Sequence, residues 1–170
     1  IGQRLLQKKS LISDIENFQI KLFENYQKKG LIKKKNDYIF TDKTLDNFFF
    51  LGLIKEIIPY ARVIHCRRNA LSSIMSIIKN NLRTVSWAHN LKHIFEFFDI
   101  YYRVVQKFKK MYPNFIYELE YEKLVNNPEI ESKKLMEFCD LVWDKKCLEF
   151  YKRKDLISQT ASNIQIRKAI

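Results

Sequence analysis

Arg62-Val63-Ile64-His65-Cys66-Arg67-Arg68-Asn69-Ala70 is the stretch on which the fold turns. Its β-branched, apolar first half reads as a strand over Arg62 to Cys66, apolar enough to lie inside a parallel sheet. Two arginines follow at once, and Asn69 is suited to cap a helix running from Ala70 to about Lys79. Strand, cationic turn and helix N-terminus together gather guanidinium charge and backbone N–H groups at one point, which suits an anion. A guanidinium also matches a phosphate bidentately and keeps its charge at any relevant pH. Successive strand residues point to opposite faces, so one of Arg67 and Arg68 is expected to be the main contact. Ser76, about two helical turns into the helix, favours Arg68. Taken alone, an arginine after a strand is more often a surface feature than a phosphate ligand.

Outward from there, the chain alternates helices and strands. Towards the N-terminus, Ile12, Ile15, Phe18, Leu22 and Tyr26 recur at helical intervals, with Ser13 and Glu16 at capping-box spacing and Gly30 as the stop. A polar loop then leads to a short strand at Tyr38-Ile39-Phe40-Thr41, followed by Asp42 and Lys43. A buried helix is expected from Asn47 to Ile57, ended by Pro59. Towards the C-terminus, Ser86 is expected to cap a helix from Trp87 to Met111, whose buried face would be Leu91, Phe95, Phe98, Tyr102, Val105 and Phe108. Phe115 to Leu119 reads as a third strand. Helices at Tyr121 to Val125, at Glu129 to Cys139 and after Asp144 complete the pattern. The class is α/β, around a parallel sheet flanked by helices. In such a sheet, ligands bind beyond the carboxyl ends of the strands. Those ends deliver Asp42 and Lys43, then Arg67 and Arg68, then Glu120, Tyr121 and Glu122.

Composition narrows the choice further. The chain has 170 residues, enough for one domain with a real core, and 46% of them are hydrophobic. The longest apolar run, Phe48 to Ile54, is far too short to cross a bilayer. The net charge of +12 invites a nucleic-acid or polyanion partner. Abundant Lys, Ile and Asn with only 3 Gly and 3 Pro instead fit a general compositional bias, and no nucleic-acid partner is expected. Cys66, Cys139 and Cys147 lack the close pairing of zinc ligands and read as reduced thiols, Cys66 buried in its strand. His89 and His93 are spaced to share a helix face but have no third ligand, so no metal is expected. The chain opens on Ile1 rather than Met, so its natural start is expected further upstream.

Several segments together resemble the sulfotransferases that use 3′-phosphoadenosine 5′-phosphosulfate (PAPS), in particular the tyrosylprotein sulfotransferases and the bacterial enzymes carrying tetratricopeptide repeats. The Val63 to Ala70 run with Ser76 resembles their 3′-phosphate-binding segment. Thr41-Asp42-Lys43 with Asn47-Phe48 and Leu51-Gly52-Leu53-Ile54 resembles their "DK…N…LGLI" stretch. Tyr121-Glu122-Lys123-Leu124-Val125 is similar to their "YE.LV" segment, Trp143-Asp144 with Cys147-Leu148 and Phe150 to their "W(D)..CL.F", and Thr160-Ala161-Ser162 with Gln165-Ile166-Arg167 to their terminal "TAS..QVR.P".

The resemblance implies a P-loop nucleotide-kinase-like fold, incomplete at its N-terminus, forming a single sulfotransferase domain truncated at both ends. It implies sulfuryl transfer from PAPS as co-substrate, without a metal, to a hydroxyl or amine of an unidentified protein, carbohydrate or small molecule. Lys43 would be the catalytic residue, beside the bridging oxygen of the leaving group. Arg68 and Ser76 would grip the 3′-phosphate; Tyr121, Ser162 and Arg167 would complete the nucleotide site. Tyr121 is equally read as a ring packed on the following helix. The family's Gly-rich "PRSGT" loop is found nowhere in the sequence, the acceptor-activating acid that follows that loop is missing with it, and Ala169 stands where the family has proline. A non-catalytic basic module and a nucleotide kinase-like phosphotransferase remain the alternatives; the latter would need a Walker lysine and Mg²⁺ ligands that the sequence does not show. Compartment is left open, cytoplasmic for a bacterial protein.

Overall fold

A computed structural model of the chain describes residues 11–30, 39, 41–80, 82 and 84–152. They form a helix-rich α/β arrangement on a small parallel sheet. Helix α1 (Leu11–Lys28) leads to a 3₁₀ turn (Leu45–Phe50) and α2 (Leu51–Ile57). Strand β1 (Val63–Arg67) and α3 (Ala70–Asn80) follow, then a second 3₁₀ turn (Ser86–His89) and α4 (Leu91–Met111). Strand β2 (Ile116–Glu120), α5 (Tyr121–Asn126), α6 (Pro128–Phe138) and a last 3₁₀ segment (Lys145–Lys152) complete the order.

Strands β1 and β2 pair in parallel, Val63 with Ile116 through to Arg67 with Glu120. The α3–α4 connection makes this possible, because parallel neighbours need a long crossover. Against β1 and β2 pack Phe48, Leu51 and Val105, which with Phe115 and Ile116 make the buried core. Gly52 lets α2 approach α4: a Cβ there would lie 3.1 Å from the Phe108 ring. Phe48, Phe97 and Tyr101 meet edge to face around this centre, a preferred aromatic geometry.

The α/β class, the element order and the cap of α3 agree with the sequence; Asn69 Oδ1 accepts from Ser72 N at 3.0 Å. Gly30 takes a positive φ of 67°, as a helix stop by glycine requires. Other expectations need correction. Helix α1 already runs at Leu11, ahead of Ser13. The Asn47 to Ile57 helix is split, beginning as a 3₁₀ turn at Leu45. Ser86 caps no long helix; Asn90 does, its Oδ1 accepting from Lys92 N at 2.8 Å. His89 therefore lies before that cap and shares no helix face with His93. Both strands are shifted by one residue towards the C-terminus from the expected Arg62–Cys66 and Phe115–Leu119. Of the strand expected at Tyr38–Thr41, Tyr38 and Phe40 fall outside the described residues, and Ile39 and Thr41 are in no strand. With β2 its only described neighbour, β1 is not enclosed: Ile64 is 39% exposed, and Cys66 is exposed rather than buried.

The buried face of α4 agrees with the expected one at Val105 and Phe108 and departs from it nearer the start of the helix. Ile94 and Val105 are buried, with Phe97, Tyr101, Val104 and Phe108 packed beside the core, whereas Leu91, Phe95 and Tyr102 face outward. Helix α4 has aromatic residues almost all round, so periodicity alone does not select the side that the sheet covers. Among the described residues no helix is long and apolar enough to cross a membrane.

Candidate functional site

A cavity of about 1000 Å³ runs along β1 and β2, from Val63 and Ile116 to the turn that follows β1. Its wall carries Lys43 from the loop before the first 3₁₀ turn, Arg67, Arg68 and Asn69 from the β1–α3 turn, and Glu122 from α5. Lys43 and Arg68, chosen from separate parts of the sequence, thus share one cavity. Among the described residues neither forms an ion pair.

Lys43 is held in place through its neighbour. Asp42 accepts from Tyr26 Oη (2.6 Å) on α1, from Thr44 Oγ1 (2.9 Å) and, more weakly, from Asn47 Nδ2 (3.4 Å). These bonds, Tyr26 first, hold the Asp42 carboxyl below its ordinary range, while burial and the Asp42 bond push the Tyr26 phenol up to about 12. A carboxylate accepting several bonds fixes the turn, and Lys43 leaves that turn towards the cavity.

The two arginines are used differently. Arg67 turns back to Glu118 on β2, at 3.1 Å. Arg68 lies over the Tyr121 ring, 5.2 Å from its centre, a cation–π contact that leaves its N–H groups available. Glu122, next to Tyr121, accepts from Asn69 N at 2.9 Å. That carboxyl is held below its ordinary range chiefly by this backbone bond.

Behind Arg67 lies a second charged group. Glu118 accepts from Lys109 Nζ at 2.5 Å as well as from Arg67. The Lys109 ammonium first, then Arg67, hold the Glu118 carboxyl down to about 2, against the opposing effect of burial. His65, directly opposite on β1, hydrogen-bonds Tyr101 Oη through Nε2, while its Nδ1 lies 3.5 Å from Glu118. Burial holds this imidazole below its ordinary value and drives the Tyr101 phenol up to about 12.

Of the other residues singled out, Tyr121 stands beneath Arg68 rather than on the cavity wall. Ser76 is not on that wall either; its hydroxyl accepts from Asn80 Nδ2 at 3.1 Å. Ser73, one turn nearer the helix start, is on the wall, its Oγ donating to Asn69 O at 3.0 Å. Ser162 and Arg167 lie outside the described residues. Sequence reasoning missed Ser73, the Asp42 hub and the Glu118 cluster. Only Ser73 left a local signal, three residues before Ser76 and so on an adjoining face of the helix. Among the described residues no group of three or more His, Cys, Asp or Glu side chains could hold a metal ion.

A family model described as "Sulfotransferase family" matches residues 7–145. A protein of Aquifex aeolicus (strain VF5), described as an uncharacterized protein, is 37% identical over 133 residues. That match covers 76% of this chain and 17% of the relative, so the chain spans about one sixth of the length of the curated protein it matches.

Proposed function

The chain belongs to the sulfotransferase family, and from that premise we propose that its cavity binds PAPS and serves sulfuryl transfer to an acceptor hydroxyl or amine. The observation that carries this reading is the pair Lys43 and Arg68, neither of them in an ion pair among the described residues, lining one cavity. Arg68 and the N-terminus of α3 supply what a 3′-phosphate needs: a fork of donors, backbone N–H groups and positive dipole character. Ser73 stands beside them, and Ser76, one turn on, is the residue the family pattern favours. The Tyr121 ring steadies Arg68; Ser162 and Arg167, outside the described residues, are the further nucleotide contacts that the family pattern implies.

In the reaction, the acceptor oxygen or nitrogen forms a bond to sulfur as the bond from sulfur to the bridging oxygen breaks. Negative charge collects on the departing 5′-phosphate, and the acceptor gives up its proton. The Lys43 ammonium lies beside the bridging oxygen and stabilises that charge, more in the transition state than before it. As in phosphoryl transfer, position and electrostatics do most of the work, without covalent chemistry by the protein. The "PRSGT"-type loop that holds the 5′-phosphosulfate in the family is not among these residues, and no step is assigned to it. With it a larger P-loop nucleotide-kinase-like sheet forms, of which this chain is the greater part of one domain.

Arg68→Ala tests this reading on the intact protein. Calorimetry with 3′-phosphoadenosine 5′-phosphate (PAP), the desulfated product, is expected to show affinity falling about 10- to 100-fold, from the loss of one charge-assisted phosphate contact. Unchanged affinity contradicts the role given to Arg68.

A further inference from the structure

Glu122 has no part in the transfer just described, yet it sits where the phosphate grip is assembled. Its carboxylate lines the cavity and bonds the backbone N–H of Asn69, 53 residues away in sequence. Tyr121, its neighbour, lies under Arg68. The first turn of α5 therefore holds the β1–α3 turn at two successive points, Arg68 by its side chain and Asn69 by its backbone. Asn69 is itself the cap of α3, through Ser72 N. Its position decides where the first N–H groups of that helix point.

We propose that Glu122 is a positioning residue for the 3′-phosphate: by accepting from Asn69 N it fixes the Arg68–Asn69 turn and so sets the selectivity for a 3′-phosphorylated nucleotide. This rests on the nucleotide reading above and adds to it the residue that builds the site.

Two effects of opposite sign act through this side chain. The hydrogen bond favours anion binding by holding donors in place. The negative charge opposes it, since Arg67 and Arg68 both feel the same carboxylate. A glutamine keeps the acceptor oxygen at the same reach and removes the charge. An aspartate keeps the charge but is one methylene shorter, and cannot hold the 2.9 Å bond without moving the turn. If position dominates, the two variants separate in a definite order.

The experiment measures, on the intact protein, the affinities for PAP and for adenosine 5′-monophosphate, which lacks the 3′-phosphate. Glu122→Gln is expected to bind PAP at least as tightly as the parent. Glu122→Asp is expected to bind PAP about tenfold more weakly, the effect of one mispositioned bond to a charged group, with little change for adenosine 5′-monophosphate. A tighter Glu122→Asp, or equal loss in both variants, overturns the proposal. So does a loss of the same size for both nucleotides, which marks a general structural role. Glu122→Gln guards against misfolding, since it is expected to retain the parent melting temperature. If the parent itself does not bind PAP, the nucleotide reading fails first, and the role of Glu122 falls with it.

Discussion

Lys43→Ala is expected to slow PAP release from PAPS by about 10²- to 10³-fold at saturating nucleotide, the usual cost of losing one preorganised donor to a developing anion. The cause is local. In the ground state the bridging oxygen shares its electrons with sulfur, so an ammonium beside it gains little. As the sulfur–oxygen bond lengthens, charge gathers there, and the attraction grows in a cavity partly shielded from water. Affinity for PAPS, whose bridging oxygen is still bonded to sulfur, should therefore change much less than turnover, the signature of an interaction made mainly in the transition state. A matching loss of affinity and rate contradicts the role of Lys43. The Asp42 hub makes the position of this lysine specific, because three donors from α1, the turn and the following 3₁₀ segment converge on one carboxylate.

Glu118→Gln is expected to lower stability by about 2–3 kcal/mol at pH 7, as removing one member of a part-buried ionic cluster strands its partners. Lys109 and Arg67 would lose their shared anion, and His65 would keep two cations nearby. The Glu118 side chain is 19% exposed, so solvent screens the cluster only in part. The pH dependence gives a second check. Because folding depresses this carboxyl from its ordinary 4.5 to about 2, its contribution is fully present above about pH 4.5. It is lost as pH falls towards 2, where folded and unfolded forms both carry the proton. Urea unfolding at pH 7 and near pH 3 should thus show the gap between parent and variant narrowing in acid. A gap that stays constant or widens assigns the cluster's effect to something other than this carboxylate.

How much of this was legible in sequence depends on the range of the interactions. The Val63 to Ala70 run carries its own signals, β-branched residues and then a capping asparagine, and it folds as read apart from a shift of one residue. That shift matters little for Arg68, since Arg67 remains the residue that pairs with β2. The face of α4 was misjudged because Leu91, Phe95 and Tyr102 are as apolar as the residues that face the core. Only the placement of β1 and α2 chooses between the two sides. Spacing favours Ser76, whereas the cavity reaches Ser73, one turn nearer the start of α3. The bonds of Tyr26 to Asp42 and of Glu122 to Asn69 join residues far apart in the chain. Neither pair leaves a periodic trace.

The most direct measurement is a thermal melt of the intact protein with and without saturating PAP. Ligand that binds the folded form alone raises the midpoint by mass action. The account predicts a rise of several degrees that Arg68→Ala largely removes. A midpoint indifferent to PAP would contradict the claim that Lys43 and Arg68 face one sulfonated nucleotide.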